Sequence, residues 1–181
     1  MNTTEEYNAV IDFCKNLFVN KTKDYGTSWR IMRLSSITDQ LYIKAKRIRT
    51  LEVKQVSKVG EDIAGEFVAI VNYCVIALMQ LEMGEEGEEN LDAAFVEQKY
   101  SEKVNETRDL MFAKNHDYGE AWRDMRISSM TDMILMKLHR VKQMENNDGK
   151  TIVSEGFAAN YQDMLNYAVF ALIKMGFADK K

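Results

Sequence analysis

Arg30, Arg33, Lys44 and Arg47 are matched, at the same spacing, by Arg123, Arg126, Lys137 and Arg140 in a second stretch of one 181-residue chain. Guanidinium forks hold phosphate or carboxylate through paired hydrogen bonds and lysine adds a point charge, so each set reads as an anion-binding cluster. Aromatic residues accompany both sets, Tyr25 and Trp29 in the first and Tyr118 and Trp122 in the second, suited to stacking on a planar base. Asp24, Ser36 and Asp39 return as Asp117, Ser129 and Asp132, with carboxylates able to orient the arginines. The expected ligand is a nucleotide or another phosphorylated small molecule.

The recurrence is a tandem duplication. Asp24-Tyr25-Gly26, Trp29-Arg30, Met32-Arg33, Ser35-Ser36 and Thr38-Asp39 reappear in order as Asp117-Tyr118-Gly119, Trp122-Arg123, Met125-Arg126, Ser128-Ser129 and Thr131-Asp132. Detecting such self-similarity decides the architecture before any local reading does. It also supplies an internal comparison. Leu34/Ile127, Ile37/Met130 and Ile48/Val141 exchange one apolar side chain for another, which a core tolerates. The tryptophan, both arginines, both serines, the aspartate and the lysine stay identical, although surface charges usually drift without penalty.

Carboxylates on the third helix of each half differ more. Glu61, Asp62 and Glu66 stand in the first half and Glu155 and Asp163 in the second, with Asn160 at the position of Glu66 and Ala69 at that of Asp163. Glu66 and Asp163 are the candidate ligands for Mg²⁺, a hard cation that takes carboxylates together with substrate phosphate. The alternative for these acids is a solvated helix face. The histidines are not zinc ligands on this reading, because His116 replaces Lys23 and His139 replaces Lys46. No nucleophilic triad, glycine-rich phosphate loop or GxGxxG repeats.

Each half is expected to place these residues on three helices. The first runs from about Thr4 to Lys23, with Tyr7, Val10, Ile11, Cys14, Leu17 and Phe18 at helical spacing, and stops at Gly26. The second runs without interruption from about Ser28 to Val53, with Arg33, Ser36, Lys44 and Arg47 flanking the apolar stripe, where a cleft is expected. The third covers Asp62 to Met83. The second half repeats the pattern at about Ala93–Asn115, Ala121–Met144 and Glu155–Phe177. Residues 1–84 form the first repeat, 85–92 an acidic linker and 93–181 the second repeat. The fold class is all-α, a six-helix pseudo-twofold bundle built from two tandem three-helix repeats.

Composition agrees with that class: 46% hydrophobic residues, no proline and twelve methionines. A net charge of −4 argues against a broad duplex-DNA-binding surface, which requires a basic face. The two cysteines fall in no metal spacing and are expected as free buried thiols in a reducing, cytoplasmic setting. The N-terminal residues are polar and acidic, unlike a signal peptide, and the apolar run from Phe67 to Leu81 is too short to cross a bilayer comfortably. No membrane partner is expected, and a homodimer is compatible with the chain.

These residues carry a family resemblance. Lys23-Asp24-Tyr25-Gly26 with Trp29, Arg33, Ser36, Asp39, Lys44 and Arg47, and His116-Asp117-Tyr118-Gly119 with Trp122, Arg126, Ser129, Asp132, Lys137 and Arg140, resemble the nucleotide modification associated domain 1 family in a tandem form. The resemblance implies a link, through phage and bacterial gene context, to modification of nucleotides or nucleic-acid bases, and brings no reaction with it. A more distant likeness is to all-α MazG-like nucleoside triphosphate pyrophosphohydrolases, which hold Mg²⁺ between facing helices. This chain lacks their ExxE followed by ExxD. Whether it is an enzyme stays open. The rival reading is a helical interaction or scaffold protein in which the same charges form a structural ion-pair network.

Overall fold

A computed structural model describes residues 1–55 and 62–179, and Glu61 lies outside them. Six α-helices follow one another: α1 (Thr3–Tyr25), α2 (Leu34–Lys54), α3 (Ile63–Met83), α4 (Ala93–Tyr118), α5 (Ile127–Asn146) and α6 (Phe157–Lys174). No strand occurs among the described residues. The all-α, two-repeat class is therefore observed.

Local chemistry sets the helix ends. Asn2 and Glu5 form a capping box, each side chain accepting the other's backbone N–H at 3.0 Å. Asp62 accepts from Gly65 N–H at 2.8 Å, and Asp92 from Phe95 N–H at 3.0 Å. α1 stops at Gly26, whose φ of 69° favours a residue without Cβ. A methyl group there would also stand 2.7 Å from Asn90 Oδ1.

The long second helix expected from Ser28 is broken in both repeats. A 3-10 turn (Ser28–Ile31) is followed by extended Met32 and Arg33, and only then does α2 begin. The turn Ala121–Asp124 and extended Met125 and Arg126 repeat the break before α5. Gln80 supplies the physical reason. Its side-chain amide donates to the carbonyls of Arg30 (3.1 Å) and Met32 (2.9 Å), which a continuous helix would use itself. The N–H of Leu34 goes instead to Glu85 Oε1 at 2.8 Å. In the second repeat Lys174, at the position of Gln80, donates to the Arg123 carbonyl. The last helix is also shorter than expected, ending at Lys174 before a separate turn, Phe177–Asp179.

α2, α3, α5 and α6 form the centre, with α3 against α6, α2 against α5, and each second helix against its own third helix. α3 and α6 are buried over most of their length. By length and composition α3 passes for a membrane span, yet most of it is enclosed by the other helices. α1 and α4 flank this centre, each touching the third helices of both repeats. Cys14 and Cys74 are free and buried, and burial pushes the Cys14 thiol up to about 12.

Polar contacts across the repeats come in reciprocal pairs. Tyr7 donates its hydroxyl to Asn166 Oδ1 and Tyr100 donates to Asn72 Oδ1, both at 2.8 Å. The same asparagines donate to backbone carbonyls in their own repeats, Asn72 to Cys14 at 3.1 Å and Asn166 to Thr107 at 3.2 Å. Thr38 meets Glu145 at 2.7 Å and Thr131 meets Glu52 at 2.8 Å. Asp39 pairs with Lys142 and Asp132 with Arg49. Reciprocity of this kind is what a twofold relation between the repeats requires.

Candidate functional site

Each repeat opens a cleft between its first helix, the 3-10 turn and its third helix. In the first repeat Phe18, Lys21, Tyr25, Trp29, Asn72 and Tyr73 line a cavity of about 310 Å³, closed off by Met32, Ala69 and Ile76. In the second, Met111, Lys114, Tyr118, Trp122, Asn166 and Tyr167 line one of about 420 Å³, with Met125, Asp163 and Phe170. Position by position these are the same cleft. Lys21/Lys114, Tyr25/Tyr118, Gly26/Gly119, Trp29/Trp122, Met32/Met125, Asn72/Asn166 and Tyr73/Tyr167 are identical between the copies.

Local folding explains why these residues converge. The glycine stop ends the first helix beside Tyr25 or Tyr118, and the 3-10 turn folds the tryptophan back into the core. Trp29 packs near Phe18, with ring centres 6.4 Å apart, and Trp122 stacks parallel to Phe170 at 4.2 Å. Both indole Nε1 atoms are buried without a hydrogen-bond partner among protein groups. An orphan donor of this kind costs about 1–3 kcal/mol, and the chain carries it at the same place twice. The tyrosines differ, since Tyr25 is 59% exposed and Tyr118 77% exposed, and they are held by little around them. Burial, with the charge of Asp24 added, raises the pKa of Tyr25, so its hydroxyl stays a proton donor.

The expected cationic clusters are dispersed rather than gathered along α2 and α5. Arg30 is 4% exposed and faces the linker, donating to Gln80 and to the carbonyls of Gly84 (2.8 Å), Glu86 (3.4 Å) and Glu88 (3.2 Å). Arg123, at the same position, lies over the Trp122 ring and pairs with Glu6 at 2.6 Å and Glu120 at 2.7 Å. Arg33 and Arg126 are exposed at the starts of α2 and α5, with Ser36 and Ser129 half-buried one turn on. Asp24 and Asp117 are exposed beside the cleft tyrosines. Asp39 and Asp132 lie on the seam between repeats, as described above.

The remaining cations are matched with the two candidate metal ligands. Buried Glu66 holds Arg47 and, at 3.5 Å, Lys44. Asp163 holds Lys137 and Lys114, each at 2.6 Å. Burial acts against the charge of Lys114, but its hydrogen bond to Asp163 and the nearby carboxylates outweigh that and raise its pKa. Glu66 and Asp163 are thus each engaged by two cations, and among the described residues no three His, Cys, Asp or Glu side chains converge as a metal ligand set. Arg140 is exposed and lines a wider groove beneath the segment 147–155.

Lys21/Lys114 and the Asn-Tyr pairs on the third helices were not among the expected site residues. Their signal was present: all are unchanged between the copies, and the Asn-Tyr pair stands out in an otherwise apolar helix. The match to known families covers the same two stretches. Residues 21–81 and 114–175 match the family described as Nucleotide modification associated domain 1. The chain belongs to that family. No curated protein and no solved structure matches it. In this nucleotide modification associated domain pair, the first family segment begins at Lys21 and the second at Lys114, the two cleft lysines.

Proposed function

We propose that the chain binds a nucleotide or another phosphorylated small molecule in its paired clefts. One observation carries the reading: exposed or half-buried residues identical in the two repeats, among them Lys21/Lys114, Tyr25/Tyr118 and Tyr73/Tyr167, meet at equivalent clefts. The family's description, which concerns nucleotide modification, points the same way. Lysine meets the anionic group, and the tyrosines and tryptophan provide faces and hydroxyl donors for a base. Arg33, Arg126, Ser36 and Ser129 lie at the start of the second helices, outside the lining of these clefts.

A structural reading is favoured for a different subset. Thr38, Asp39, Asn72 and their counterparts make reciprocal contacts between the repeats, so their identity follows from assembly. Thermal-shift measurements with a nucleotide panel separate the two accounts. A ligand that binds only the folded chain, present at about 100 times its Kd, adds about 2.7 kcal/mol and raises Tm by several degrees. Tyr25→Ala combined with Tyr118→Ala should leave the unliganded Tm within about 1 °C, since exposed side chains away from special contacts contribute little, and should abolish the rise. Absence of any shift with every nucleotide tested rejects the binding reading.

A further inference from the structure

The acid that neutralises each repeat's cations has moved by one helical turn. In the first repeat it is Glu66, which holds Lys44 and Arg47 of α2 away from the cleft lining. Position 69, which corresponds to Asp163, is alanine there, and Lys21 makes no ion pair among the described residues. In the second repeat Asn160 takes the place of Glu66 and donates to the Gly156 carbonyl at 3.0 Å. The acid is now Asp163, inside the cleft, and it takes Lys114 together with Lys137. The clefts share a shape and most of their residues while differing in charge. One has a lysine without a carboxylate in its lining; the other carries its own counter-ion.

Resting on the nucleotide-binding reading, we infer that the clefts have divided their chemistry: the first takes the phosphate of a nucleoside monophosphate beside Lys21, and Asp163 closes the second to that anion. A carboxylate bonded to Lys114 repels an incoming phosphate, offsets the lysine's charge and takes one of its N–H donors. The first cleft limits the ligand's charge as well. Among the described residues its lining offers one cation and no carboxylate, neither the several basic groups a triphosphate needs nor an acid to share an accompanying Mg²⁺. Its apolar and aromatic walls, with Phe18, Trp29 and Tyr73, suit the base and sugar of a single nucleotide.

Isothermal titration with nucleoside monophosphates, the matching nucleosides and triphosphates tests this. One monophosphate is expected to bind per chain, more tightly than its nucleoside or its triphosphate. Lys21→Ala should weaken it by about tenfold to a hundredfold, the loss of one charge-assisted contact. Ala69→Asp should abolish binding by importing the second repeat's counter-ion. Asp163→Asn, which keeps the side chain's shape, should open a second site and raise the stoichiometry from one to two; retained circular dichroism and Tm confirm that the variant folds. Two equivalent sites in the unmodified chain, or a stoichiometry unmoved by Asp163→Asn, would overturn the division while leaving nucleotide binding intact. No binding of any nucleotide would remove the underlying reading instead.

Discussion

The seam between the repeats and the mouths of the clefts both hold residues that the two copies share, and they hold them for opposite reasons. At the seam, Asn72 and Asn166 have their amide groups committed to a tyrosine of the other repeat and a carbonyl of their own. At the mouths, Tyr25 and Tyr118 are largely exposed, and their identity serves no contact of comparable closeness. Identity within a duplicated chain therefore mixes two causes. Where a shared residue bridges to the counterpart repeat, as Asp39 and Asp132 do, symmetry of assembly accounts for it; the cleft tyrosines make no such bridge among the described residues.

That contrast can be broken most forcefully at the seam. Asn166→Ala leaves the Tyr7 hydroxyl and the Thr107 carbonyl without their partner in the core, and is expected to cost about 3 kcal/mol in urea denaturation. A loss below about 1 kcal/mol would mean that these bridges do not hold the repeats together. Next in size is the pair Arg30 and Arg123, one residue type in two settings. Arg30→Met should cost about 2 kcal/mol and expose residues 84–90 to protease, because several linker carbonyls lose their donor. Arg123→Met, at a more open position, should cost no more than about 1 kcal/mol, and equal losses would erase the distinction.

The smallest effect concerns Glu52 and Glu145. Burial raises the pKa of both carboxyls, against the opposing hydrogen bonds from Thr131 and Thr38. The native state thus holds these protons more tightly than the unfolded chain does. Their contribution grows as pH falls through the native pKa toward the ordinary carboxyl range and is lost as pH rises through it. Glu52→Gln with Glu145→Gln should raise Tm slightly near neutral pH and flatten its dependence as pH falls toward the ordinary carboxyl range. A wild-type slope in the double variant would show that these carboxyls titrate as exposed ones do.

The repeat, the six helices and several of their ends were legible in the residues themselves. Periodicity places the apolar stripes, Asp62 marks the start of α3, and Gly26 and Gly119 mark the stops. The break before α2 was not legible, because helical spacing continues through Met32 and Arg33 and the competing donor, Gln80, lies far along the chain. The cations disperse for a related reason. Arg30 and Arg123 each follow a tryptophan, yet one meets a linker and the other an N-terminal helix and Glu120, where the first repeat has Thr27. Tyr25 and Trp29 are expected together from their chemistry, and both line the first cleft. Lys21 was overlooked because a lone lysine on an exposed helix carries no pattern until the fold shows what stands opposite it.

The crossed Tyr7–Asn166 and Tyr100–Asn72 bridges bear on how such a chain came to exist. Each is the same donor meeting the same acceptor, seen from either side, which is the signature of two equal subunits facing one another. Severing the tether after α3 would strand a tyrosine hydroxyl and an asparagine carbonyl on each fragment, and the fragments would regain those partners by re-associating. The duplication reads as a gene fusion that joined an already mated pair, after which each member was free to change its cleft independently.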